Sequence, residues 1–185
     1  MNRPSLPSGD PATVLDPIAE DQRPVLRNLF ELYAHDFSEY VPLDLDATGR
    51  FDVKIDAKWW TDDDHHAYFV RSGGKLVGFA LLRKGSRVTS DPNVMDVAEF
   101  FVVRGARRRG IGVKVAHALF AAFPGAWEMR FRRSNVPARA FWTRTAAAWN
   151  AEPATITAFV REGVDWEVIQ VPGRPAVVAN DPAPA

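Results

Sequence analysis

No cysteine occurs in the 185-residue chain, which excludes disulfides, thiolate nucleophiles and cysteine-ligated zinc or iron–sulfur sites. That absence suits a reducing, cytoplasmic setting. Net charge is missing too: 23 basic and 23 acidic side chains cancel, so no overall field favours nucleic acid or an anionic membrane. Nor is there the run of about 20 apolar residues that a membrane helix needs. Met1–Pro11 is polar and broken by Pro4, Pro7 and Pro11, and so lacks the apolar stretch of a signal peptide. Neither nucleic acid nor membrane is expected as a partner.

What is present is ordinary globular material, with 46% hydrophobic residues against 25% charged, enough for one self-supporting core. Residues 1–12 and 172–185 are rich in Pro, Ala, Ser, Asn and Asp and read as flexible tails. The folded part, 13–171, reads as a single domain. A short strand at 13–18 precedes a helix in which Leu26, Leu29, Phe30, Tyr33 and Phe37 recur at spacings of three and four. Residues 41–60 follow no period and read as a loop with room for a short helix, suited to line a substrate. Two strands, 67–71 and 76–83, meet at Ser72-Gly73-Gly74-Lys75, a hairpin signal. An apolar strand at 95–103, a glycine- and arginine-rich turn and a helix at 111–123 follow. A two-faced strand at 127–132, a helix at 137–149 and a last hairpin about Glu162-Gly163 complete the pattern. The sum is an α/β chain of the α+β type: a mixed, mostly antiparallel sheet of six to seven strands flanked by about four helices. The exposed edges of the last hairpin leave monomer and homodimer both open.

The turn carries the chemistry. Phe100 to Gly112 runs from a buried strand through Arg104, Arg107, Arg108 and Arg109 to Gly110-Ile111-Gly112 at a helix start. Unpaired backbone N–H groups and the helix dipole there favour an anion, glycines admit close approach, and arginines add charged donors. A P-loop does not fit, because Ile111-Gly112 stand where Lys and Ser/Thr belong. A dinucleotide fingerprint fails at Val115. Bland alternatives stand beside the anion site: a solvated basic turn, or a nucleic-acid patch, which zero net charge disfavours.

Arg107-x-x-Gly110-x-Gly112 between strand and helix resembles the coenzyme A pyrophosphate loop of the GNAT superfamily of N-acetyltransferases. Asn135-x-x-Ala138-x-x-Phe141-Trp142 is similar to a second segment of that family. The resemblance spans about 13–171 and implies acetyl-CoA as co-substrate, a small-molecule primary amine as acceptor and no metal. Carried over residue by residue, it assigns cofactor contacts to Phe101, Val102 and Val103 near the thioester. It assigns the pyrophosphate to Arg107, Arg108, Arg109, Gly110, Ile111, Gly112 and Val113, and the pantetheine arm to Asn135, Ala138 and Phe141. The strand at 127–132 would have to splay from its neighbour to admit that arm. Apart from the resemblance, Asn135 and Ser134 also read as helix caps, and Phe141 and Trp142 as core at helical spacing.

Transfer of an acetyl group to an amine needs a base for the ammonium proton. Asp96 and Glu99 are both candidates. Alternation puts them on opposite faces unless the strand bulges, and either could instead be a buried carboxylate paired with an arginine. Trp142 stands where the family has an acidic tyrosine, and an indole N–H does not titrate near neutrality. This departure also admits an acyl-CoA-binding module without turnover. Asp62-Asp63-Asp64-His65-His66 reads as a solvated charged turn rather than a metal site, and Trp59 and Trp60 as core caps or a stacking surface.

Overall fold

The computed structural model describes residues 6–7, 12–51, 53–150 and 154–173. The carboxy-terminal tail expected at 172–185 lies almost wholly outside them, as does most of 1–12. Within that amino-terminal stretch, β1 (Leu6–Pro7) pairs with β2 (Thr13–Pro17). The remaining elements are α1 (Arg23–Phe37), α2 (Lys58–Thr61), β3 (His65–Ser72), β4 (Lys75–Lys84), β5 (Met95–Val102), α3 (Ile111–Ala122), β6 (Trp127–Arg132), α4 (Val136–Asn150), β7 (Thr155–Arg161) and β8 (Val164–Val171). They form one sheet in the order β1-β2-β3-β4-β5-β6-β8-β7. Every neighbouring pair is antiparallel except β5 and β6, which need a crossover, and α3 supplies it.

Local sequence explains most boundaries. Pro24 sits in the first turn of α1, where its missing N–H costs nothing. Gly73 and Gly74, both at positive φ, close the β3–β4 hairpin. The sheet buries both faces. Leu15, Val70, Leu82, Val97, Met129 and Ile169 pack with α3 and α4 on one side. Phe69, Phe79, Leu81 and Phe101 pack with Leu26, Leu29 and Phe30 of α1 on the other. The loop expected at 41–60 contains Ile55, part of that second core, and ends in α2.

Candidate active site

Two irregularities in β5 create the site. First, its pairing with β4 shifts between Leu81 and Leu82, so that Leu82 faces Val97 while Leu81 faces Glu99. Ala98 is the extra residue of a β-bulge. The shift undoes simple alternation: Asp96 opposite Arg83, Glu99 opposite Leu81 and Phe101 opposite Phe79 all share the α1 face. Second, β5 pairs with β6 only over Met95–Val97 and Trp127–Met129. Beyond Val97 the strands diverge, as the resemblance required, and a cleft opens between Ala98–Val102 and Arg130–Arg132.

The two carboxylates differ in company. Asp96 is fully buried and holds Arg83 at 2.7 Å and Arg130 at 3.0 Å. Glu128, opposite it on β6, is equally buried and accepts from the Ser86 hydroxyl and the Arg87 amide, each at 2.6 Å. Glu99 is only half-buried and has no dedicated cation. Its carboxyl is pushed up to about 7, first by desolvation, with the Asp96 charge adding to it; the Tyr33 phenol, Arg83 and Arg130 oppose the rise. Tyr33 projects from α1 within donating reach of Glu99, and burial, reinforced by the Glu99 charge, raises its own pKa well above the ordinary value.

At the open end, a 3-10 turn at Arg104–Ala106 leads to α3. Gly110, the residue before the helix, adopts φ 78°, and no side chain caps the helix start. The first amides of α3, from Ile111, Gly112 and Val113, therefore keep their donors available to a ligand. A side chain on Gly110 would meet nothing within 4 Å, so the space above it is open, whereas a Cβ on Gly112 would lie 3.0 Å from the Phe141 ring. Arg108, at φ 62°, and Arg109 are exposed beside the turn. An uncapped helix start under open space, flanked by two guanidiniums, fits a pyrophosphate.

Arg107, expected at the pyrophosphate, has its side chain engaged within the protein. Its Nε donates to the Val102 carbonyl at 2.6 Å and its Nη2 to Asp36. Asp36 also accepts from Arg104 at 2.8 Å. Burial raises the Asp36 pKa, but the two guanidiniums outweigh it and hold the carboxyl below its usual range. The Arg107 side chain thus ties the end of β5 to α1. Asn135 caps α4, its Oδ1 accepting from the Ala138 amide at 3.0 Å. Ala138 and Phe141 pack on the core beside Phe100, and Val103 bridges both cores. Trp142 is buried against Phe100 and Phe141. Trp59 and Trp60 both pack on the α1 core, and the Trp60 indole donates to the Ile18 carbonyl. Asp62, Asp64 and His65 bring their ligand atoms within 4.8 Å of one another at the start of β3.

The family model described as the acetyltransferase (GNAT) family matches residues 26–147, which contain the bulge, the cleft, the turn and most of α4. The chain belongs to the GNAT acetyltransferase family. It is an acetyl-CoA-dependent acyltransferase. Comparison with curated proteins gives no significant sequence match. Among solved structures, an acetyltransferase of Thermus thermophilus superposes with TM-score 0.65 at 15% identity, over 87% of this chain and 97% of that one. A Salmonella typhimurium acetyltransferase that modifies the N-terminal serine of ribosomal protein L7/L12 gives 0.65 at 12%, covering 90% and 98%. YncA of Salmonella typhimurium, solved with its cofactor acetyl-CoA, gives 0.59 at 11%, covering 94% and 98%. At these identities the likeness is one of fold. No helix among the described residues is long and apolar enough to cross a membrane.

Tyr33, Asp36, Arg130 and Arg132 make contacts around β5 and β6 that local sequence patterns scarcely announce. Tyr33 looked like one more apolar position of α1, and Asp36 meets Arg107 across 71 residues of chain. Only the alternation of Arg130 and Arg132 with Met129 and Phe131 hinted that β6 offered a charged face.

Proposed function

We propose that this GNAT enzyme acetylates the primary amine of a small acceptor, with Glu99 as general base. The observation that carries the reading is the Ala98 bulge, which turns Glu99 onto the α1 face at the mouth of the cleft. Its carboxyl, held at about 7, has the poise wanted of a base near neutral pH. Asp96 is left a structural part, because both its oxygens already accept from guanidiniums.

Bound acetyl-CoA supplies an activated thioester whose carbonyl carbon is open to the amine and whose thiolate can leave. The amides of Ile111, Gly112 and Val113 would hold its pyrophosphate, with Arg108 and Arg109 adding charge. Exposed β5 backbone beyond Val97 would pair with the pantetheine arm, and Phe101, Val102 and Val103 would flank the acyl group. Tyr33 orients the Glu99 carboxylate and favours its charged form. Buried Trp142 has no titrating group, so the thiolate takes its proton from solvent. Cleft geometry supplies proximity, which counts for more than any single proton transfer.

The test is thiol release from acetyl-CoA with a panel of primary amines across pH. The wild-type kcat/KM should rise with pH through about 7, as a base that must be deprotonated requires. Glu99→Gln should remove that limb; a limb that persists unchanged in the variant would exclude Glu99 as the base.

A further inference from the structure

If Glu99 receives the amine, the remainder of the acceptor must lie farther along the cleft on the same face. The β6 residues Trp127, Met129 and Phe131 enter the α3/α4 core, so Glu128, Arg130 and Arg132 point to the α1 face. Glu128 stands opposite Asp96 at the closed end. Arg132 lies four residues on, about 13 Å at ~3.3 Å per residue, and is the next cation beyond the Asp96 network.

Arg132 differs from the arginines before it. Arg83 and Arg130 are committed to Asp96, whereas no carboxylate among the described residues pairs with Arg132. Its guanidinium rests 4.8 Å over the Trp166 ring, which is itself stacked on Phe159. Its Nε–H is buried without a hydrogen-bond partner. A planar cation held on an aromatic shelf, partly desolvated and with donors unspent, is built to take an anion bidentately. Beside it is a cavity of about 430 Å³ lined by Tyr40, Arg132, Arg133, Ser134, Gly163 and the first two residues of β8, Val164 and Asp165. Tyr40 follows α1, the helix that presents Tyr33 to Glu99, and ring contacts run from Tyr33 through Phe37 to Tyr40 at the cavity.

We infer that this cavity binds an anionic group of the acceptor, so that the enzyme's substrate is an amine carrying a carboxylate or phosphate and Arg132 sets that specificity. The inference rests on the reading of Glu99 as base, because that places the amine at the near end of the cleft. A free amino acid and a peptide with an acidic residue near its amino terminus share the required chemistry, and the acceptor pairs separate them.

The experiment measures kcat/KM by thiol release for matched acceptors. Free amino acids are compared with their carboxamides, phosphoethanolamine with ethanolamine, and peptides with acidic or amide second residues. Wild-type enzyme should favour one anionic series by about tenfold or more, the gain expected of a charged hydrogen bond. Arg132→Gln should reduce that preference to less than about twofold through KM, with kcat for the neutral member kept; Arg132→Lys should restore part of it. Thermal unfolding of each variant shows that the shelf is intact. Turnover without anionic preference, or a preference that survives in Arg132→Gln, overturns the inference and leaves acetyl transfer standing. Absence of turnover with every amine, in protein shown to bind acetyl-CoA, overturns the amine-acceptor reading and this inference with it.

Discussion

The two ends of β5 make an instructive pair. At the closed end, Met95–Val97, the strand is bonded on both sides and its carboxylate, Asp96, is buried between two guanidiniums. At the open end, past the Ala98 bulge, one neighbour has gone and the carboxylate, Glu99, faces a phenol and no dedicated cation. The same acidic chemistry, three positions apart on one face, serves on the reading proposed above as a structural part in one place and as the base in the other. What separates them is the company each keeps: two guanidiniums hold Asp96, whereas the Glu99 carboxyl, with no such pair, is raised by desolvation.

Breaking the closed end should have the largest effect. Asp96→Asn leaves Arg83 and Arg130 buried beside a neutral amide, and removal of one partner from a buried network costs about 3–5 kcal/mol. A fall in Tm on the order of 10 °C, measured by calorimetry, is expected, with activity lost in proportion to folding. A variant that keeps its Tm but loses its pH limb would reverse the assignment of the two carboxylates.

Glu99→Gln should do the opposite to each property. Its kcat/KM should fall about 100-fold or more, the usual scale of a lost general base. Its stability at pH 8 should rise. The folded-state pKa of Glu99, about 7, exceeds the ordinary 4.5, so the folded protein binds this proton more tightly than the unfolded chain. The stability that follows is present below about 4.5 and lost as pH climbs through about 7. At pH 8 the wild type therefore bears roughly 3 kcal/mol of penalty that the variant does not. Urea unfolding at pH 5 and pH 8 measures it: the gain in the variant should appear at pH 8 and shrink toward zero at pH 5.

How much of this was legible beforehand follows from the range of the interactions. Apart from α2, which forms at the end of the aperiodic stretch 41–60, the helices and strands of 13–171 follow from local periodicity and turn residues, and the boundaries read from them differ from the structure by a residue or two over most of their length. The Arg107–Gly112 turn was equally legible, because a strand, glycines and a helix start are contiguous. The Asp96–Glu99 choice was not, since it depends on a bulge created by pairing with β4 and on partners from β4, β6 and α1. Arg107 shows the same limit: its charge and place matched a phosphate ligand, but Asp36, 71 residues away, holds its side chain. The amides that the turn presents depend on backbone shape, which Gly110 and Gly112 encode directly.

Blocking the open end should abolish ligand stabilisation without touching the closed end. Acetyl-CoA at about 100 times its Kd adds about 2.7 kcal/mol to a protein that binds it only when folded. Gly112→Glu, which sets a carboxylate at the uncapped helix start and crowds Phe141, should erase the corresponding Tm shift. An undiminished shift would move the pyrophosphate away from α3.

The smallest change separates two roles for Tyr33. Its ring contacts Phe30, Phe37, Phe79 and Phe101, so Tyr33→Phe keeps the packing and removes only the hydroxyl. That hydroxyl lowers the Glu99 pKa, and without it the ascending limb of kcat/KM should move to higher pH. The rate near pH 7 should fall by about two- to tenfold, the worth of one hydrogen bond, while the alkaline plateau returns to the wild-type value. A plateau depressed at every pH would instead make the phenol a participant in the chemical step, because an orienting group loses its influence once Glu99 is fully ionised.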